Sequence, residues 1–496
     1  MLFTSPTFLF VFLPAFLAAY LLIRLRLLRN GLLLVSSLFF YAWGEGCYAL
    51  VLLVSILANY LVGLWLERAR GTRLESLAFW IGVALNLMPL IALKFGPRFL
   101  ASKLDTLLVL VHVKSVSLLT LRLPAGISFF TFMALSYLIA LHRREVETER
   151  NPLRLGLYIS LFPLIMAGPI CRYKDLAPQL AERLESVSSL AEGARRFIVG
   201  LGKKVLIANT LATPANAIFG LGPPQLTPAL AWFGLACYTL QIFFDFSGYS
   251  DMAIGLGRML GFRFMENFDA PYAATSVRAF WSRWHISLST WFRDYLFLPI
   301  AYPVGRAVER IRFARLREDF WAYAGGSLAT MFLIGLWHGA SWGFVAWGLY
   351  HGAFLVFERT RLGKRLTKLP GPVQHAYLLM AVTVGWVLFR TTSVAQASTF
   401  LAAMAGHSGP DPAPIARYAL ADALLAVAAG VALSTRIGPT LRSWMTGRIE
   451  ARSRSTSVLL EGAFGVAEVL GLAALLVMSL SWLSAGTYAP FIYFRF

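Results

Sequence analysis

Charge is scarce in this chain. Asp, Glu, Lys and Arg make up 14% of its 496 residues, against 58% apolar ones, where a soluble domain carries about 25% charge. With a mean hydropathy of +0.64, there is too little polar surface to cover a globule in water, which excludes a soluble enzyme. An aromatic content of 14% excludes a disordered chain. Cysteine is equally sparse. Cys47, Cys171 and Cys237 stand alone, so there is neither a disulfide framework nor a CxxC spacing, and each reads as a small buried apolar side chain. No histidine spacing suits zinc, and no metal is expected. Acidic residues are the rarest charged class, 25 against 45 basic ones, for a net charge of +20. The cations form no single stripe, which sets nucleic acid aside. They sit in short clusters between apolar runs, as on the inner face of a polytopic membrane protein.

What is abundant is apolar sequence in pieces. Runs such as 8–23, 48–66, 77–93, 123–141, 230–246, 321–337, 344–357, 375–389 and 459–483 predict about 10–13 membrane segments, several shorter than the roughly 20 residues of a straight span. The expected fold is all-α and polytopic, a single membrane-embedded domain over 1–496 with short, re-entrant pieces. Arg24, Arg26 and Arg29 follow the first run instead of preceding it, which predicts a retained helix with its N-terminus outside. Clusters at 68–73, 142–144, 195–204, 306–317, 359–368 and 436–454 are expected in the cytoplasm, with 195–204 an amphipathic interfacial segment and 106–121 also in the interface. Attraction to anionic lipid headgroups follows from the same charges.

Polar residues inside apolar runs are costly and mark function by default, and three groups qualify. In FFDFSGYSD, Asp245 and Asp251 bracket Gly248 and Tyr249. Gly248 can break a helix to line a cavity, or an aspartate can cap a helix start. In FWSRWHISLSTWFRDY, His285 and Ser289 are four apart and predict one helix face, with Arg283 and Arg293 as anchors. In GLWHGASWG, His338 follows Trp337 in a stretch with no Lys, Arg, Asp or Glu from Trp321 to Phe357. Ser327, Thr330, Ser341 and His351 are the other conspicuous polar residues there. Gly339–Gly343 reads G-x-S-x-G, but that elbow needs an α/β sheet, so Ser341 is not expected as a nucleophile. Two buried histidines suit proton transfer near neutral pH. His338 and His285 are therefore the catalytic candidates, with Asp245, Tyr249, Ser289, Trp337 and Ser341 as candidates for the lining of a substrate passage.

WHISLSTW, RDY and GLWHGASW, with LPAGISFFTF, LFPLIMAGPICRYKD, GLGKKVLIANTLA, the 244–272 stretch and the terminal PFIYFRF, resemble the membrane-bound O-acyltransferase family. The likeness is to its bacterial branch of alginate O-acetyltransferase membrane subunits and related cellulose and peptidoglycan acetylation proteins. The resemblance implies a central tunnel in a multi-pass inner-membrane protein and no bound cofactor. It implies acyl transfer, acetyl-CoA or another acyl thioester being the donor, with His338 as the catalytic histidine and His285 as the second polar site residue. It further implies a periplasmic acetyltransferase partner that modifies an exported polysaccharide such as alginate. His285 would orient or polarise the acceptor hydroxyl or stabilise the oxyanion. D-alanyl transfer from a carrier protein, or transport without acyl chemistry, are the competing readings.

Overall fold

The computed structural model describes residues 1–99, 123–309, 318–407, 409–450, 454–486 and 491. The predicted interfacial stretch 106–121 lies outside these, as does most of the terminal motif. Among the described residues the chain is helical, with one isolated antiparallel bridge, Phe268 to Trp284. Six of the described segments are long and apolar enough to cross a membrane: Arg26–Arg68, Arg73–Gly96, Pro228–Met259, Glu318–His338, Gly371–Arg390 and Leu460–Ser484. Five shorter apolar helices join them: Phe8–Leu22, Ile127–His142, Trp342–Phe357, Val394–Met404 and Ala421–Leu433. The first segment is two helices, Arg26–Glu45 and Ala49–Arg68, divided at Gly46 with φ +59°. Each has 20 residues, about 30 Å at 1.5 Å per residue, the thickness of a hydrocarbon core. Outward side chains such as Val466, Val469 and Val477 are at least 60% exposed, as a lipid-facing helix requires.

The chain forms two compact units, Met1–Phe197 with Tyr249–Met265, and Ile198–Gly248 with Glu266–Phe496. In the first, Asn59 and Asn86 exchange amide hydrogen bonds of 3.0 and 2.8 Å between neighbouring apolar helices, satisfying two polar groups that lipid could not. Beyond the apolar helices, Glu185 gathers Arg26, Arg29 and Arg183. Arg183 also donates to the Tyr20 hydroxyl and the Leu260 carbonyl. The connection 182–186 between the helices Tyr173–Ala181 and Val187–Gly202 is thus an anchored ion-pair centre. Cys171 and Cys237 are buried as expected, but Cys47 is exposed beside the Gly46 turn.

Three expectations need correction. Gly248 does not break a helix: Pro228–Met259 runs through it for 32 residues. Its missing Cβ serves close packing instead, since a Cβ there would lie 2.7 Å from the Gly200 carbonyl oxygen. Asp245 is accordingly no cap. It lies mid-helix and forms a buried ion pair with Lys204. The cluster 195–204 is therefore not a free basic face: Lys204 is inside, and Arg196 donates to Asp251 at 2.8 Å.

Candidate active site

The second unit holds the site. Glu318–His338 and Trp342–Phe357 pack backbone to backbone at two glycines. A Cβ on Gly348 would lie 2.2 Å from the Met331 carbonyl oxygen, and one on Gly335 2.4 Å from that of Phe344. The chain turns at Gly339–Ser341, which leaves His338 as the last residue of its helix. His338 is buried, its ring 5.2 Å from Trp347 and 4.9 Å from Phe389, both edge-on.

The run predicted as one helix through His285 is broken. Val277–Trp281 ends, and Ile286–Phe292 begins after His285, which takes φ +45° and ψ +53°. His285 and Ser289 therefore do not share a helix face. The break is made by tertiary contacts: Ile286 N–H donates to the Asn267 carbonyl at 2.9 Å and Asp269 N–H to the Arg283 carbonyl at 3.0 Å. A left-handed non-glycine residue costs about 1–2 kcal/mol and persists only where its surroundings fix it. His285 is 2% exposed, and its Nδ1 lies 3.0 Å from Asn267 Oδ1.

His285 and His338 line one cavity of about 240 Å³. Its polar wall adds Ser289, Arg293, Ser327 and Thr330, and its aromatic wall is Trp281, Trp284, Trp347 and Trp386. Arg293, expected as an interface anchor, lines this cavity with its guanidinium bonded to Asp294 at 2.7 Å. Thr330 Oγ1 and the indole N–H groups of Trp281 and Trp347 are buried without hydrogen-bond partners among the described residues, so the wall carries donors. His351 lies behind this wall, fully buried edge-on to Trp281 and Trp347. Neither of its ring nitrogens has a hydrogen-bond partner among the described residues.

The other sequence candidates lie elsewhere. Trp337 packs against His338 and Phe292 but does not line the cavity. Ser341 precedes the helix Trp342–Phe357 without capping it through its side chain. Asp245 is committed to Lys204, and Tyr249 belongs to the first unit, stacked on Phe3 at 4.7 Å. Sequence reasoning missed Asn267. Its only signal was its place in the 244–272 stretch, one polar residue among several. No group of three or more His, Cys, Asp or Glu able to hold a metal occurs among the described residues.

The profile of the membrane-bound O-acyltransferase family matches residues 35–389. The chain is 37% identical to the probable alginate O-acetylase AlgI of Pseudomonas putida over the full length of both. It is 32% identical to the peptidoglycan O-acetyltransferase of Helicobacter pylori, covering 82% of this chain and 80% of the relative. Identity to the teichoic acid D-alanyltransferase of Streptococcus thermophilus is 29%, over 61% of this chain and 68% of that protein. The reading as a transporter without acyl chemistry falls with these matches. The chain belongs to the membrane-bound O-acyltransferase family and is a multi-pass membrane O-acyltransferase.

Proposed function

We propose that this protein takes an acetyl group from cytoplasmic acetyl-CoA and passes it across the inner membrane towards an exported polysaccharide, through an extracytoplasmic acetyltransferase that receives it. The observation that carries the reading is that His285 and His338 line one aromatic-walled cavity. The acetyl donor and polymer acceptor are supported by the relatives, named for O-acetylation of alginate and peptidoglycan. The family match runs through residues of both units, which supports reading the chain as one functional domain.

In the reaction a hydroxyl oxygen of the acceptor attacks the thioester carbonyl carbon. The new C–O bond forms, the C–S bond breaks, and the hydroxyl proton goes to His338 and then to the departing thiolate, leaving an ester and free CoA. An aromatic wall keeps water away, which limits hydrolysis and strengthens electrostatic interactions inside. Thr330 and the indoles of Trp281 and Trp347 are the donors offered to the carbonyl oxygen as charge develops. In sealed vesicles of known orientation, labelled acetyl-CoA should support transfer only from the cytoplasmic side. Equal transfer from either side would refute the cross-membrane route, and D-alanyl transfer from a carrier in place of acetyl transfer would refute the donor.

A further inference from the structure

Asn267 holds an unusual place beside the site. It is 1% exposed, and its Oδ1 meets three groups: His285 Nδ1 at 3.0 Å, the Ser287 backbone nitrogen at 3.3 Å and Ser287 Oγ at 2.9 Å. An amide oxygen and nitrogen look alike in shape, so the bonding network must decide which is which. Here it does. A backbone N–H can only donate, so the atom facing Ser287 is the carbonyl oxygen. Turning the amide over would set an NH2 group against an N–H. An oxygen that accepts from Ser287 also accepts from His285, so Nδ1 of His285 carries the proton. In the neutral ring the lone pair then belongs to Nε2.

The backbone supports the same arrangement. The bridge from Phe268 to Trp284 and the bond from Ile286 N–H to the Asn267 carbonyl hold residue 285 in its left-handed conformation. One segment therefore fixes both the backbone of His285 and its tautomer.

We propose that Asn267 is a positioning residue that fixes His285 as the Nδ1-protonated tautomer, so that His285 enters acyl transfer as a hydrogen-bond acceptor through Nε2 and not as an oxyanion donor. This rests on the reading of His285 as part of the transfer site. It separates the two roles that a histidine could take there. A neutral ring with its proton on Nδ1 has none at Nε2 to offer a developing oxyanion, and that task passes to Thr330 and the two indoles. A carboxylate at position 267 would keep the acceptor and add charge, making the His285 ring easier to protonate.

The test is the pH–rate profile of acetyl transfer by the full-length protein in proteoliposomes. Asn267→Asp should retain transfer at high pH and move the acid limb up by about one pH unit, because Nε2 must be free. Asn267→Leu should lower kcat by about 10-fold or more, as a ring released to either tautomer loses the productive state. Ser287→Ala, which removes one bond to Asn267 but none to His285, should leave the acid limb in place. If Asn267→Leu does not fold, the Asp and Ser287 variants decide. An unmoved acid limb in Asn267→Asp, or wild-type kcat in a folded Asn267→Leu, would overturn the proposal and leave Asn267 as a brace of the loop. Wild-type transfer by His285→Ala would instead refute the reading of the site itself.

Discussion

Replacing Lys204 by methionine should destabilise the protein far more than an ordinary surface change. The Lys204 and Asp245 side chains are 6% and 2% exposed and form an ion pair in the apolar interior of the second unit. Removing one partner strands the other charge, which costs about 3–5 kcal/mol. Replacing both by apolar residues of similar size is often neutral or stabilising by about 1–4 kcal/mol. Neither residue lines the cavity that holds His285 and His338. Lys204→Met and Asp245→Leu should therefore each lower thermal stability in detergent, and the double variant should recover most of the loss. Acetyl transfer by the double variant at permissive temperature should approach wild type. The measurement is a double-mutant cycle on unfolding, with transfer assayed on the same preparations. A loss under about 1 kcal/mol for Lys204→Met, or a double variant as unstable as the sum of the singles, would show that the two charges do not depend on each other.

Gly348→Ala should cost about 1–3 kcal/mol by overpacking and lower transfer as well, because its Cβ would meet the Met331 carbonyl on the helix that carries His338. Gly31→Ala, with nothing within 4 Å, is the control, and equal melting points for the two would count against close helix packing. Burial pushes the Glu185 carboxyl up, but bonds from Arg26 and Tyr20 and the charges of Arg26 and Arg29 outweigh it and hold it below its ordinary 4.5. A depressed carboxylate stabilises above its unfolded value and loses that contribution as pH falls through the folded one. Glu185→Gln should therefore melt lower than wild type at neutral pH, with the gap closing below about pH 4, and a gap independent of pH would refute this. Cysteines placed beside Arg70 and Lys364 should resist impermeant thiol reagents in intact cells and react after permeabilisation. Labelling of both in intact cells would reverse the assigned topology.

The membrane architecture was legible because lipid imposes it residue by residue: long uncharged runs become spans, and few polar residues survive inside them. His338 stood out for that reason, in a stretch without Lys, Arg, Asp or Glu. What the pattern could not carry was tertiary. Gly248 looks the same in sequence whether it breaks a helix or admits a neighbouring backbone, and only the Gly200 carbonyl beside it decides. Lys204 reads as part of a basic face until Asp245, 41 residues on, is placed against it. Periodicity put His285 on a helix, but hydrogen bonds from a loop distant in sequence turn the chain there. Asn267 has no local signature, because its role exists only once that loop has folded over the histidine.

In the proposed mechanism His338 moves the proton in acyl transfer. The most direct test compares His338→Ala with wild type in proteoliposomes supplied with labelled acetyl-CoA and acceptor, with insertion checked by the same labelling pattern. Removing a general base costs about 10²–10⁴-fold in rate, so transfer should fall by at least that while expression and insertion hold. Retention of more than about a tenth of the wild-type rate by a correctly inserted His338→Ala protein would contradict the account.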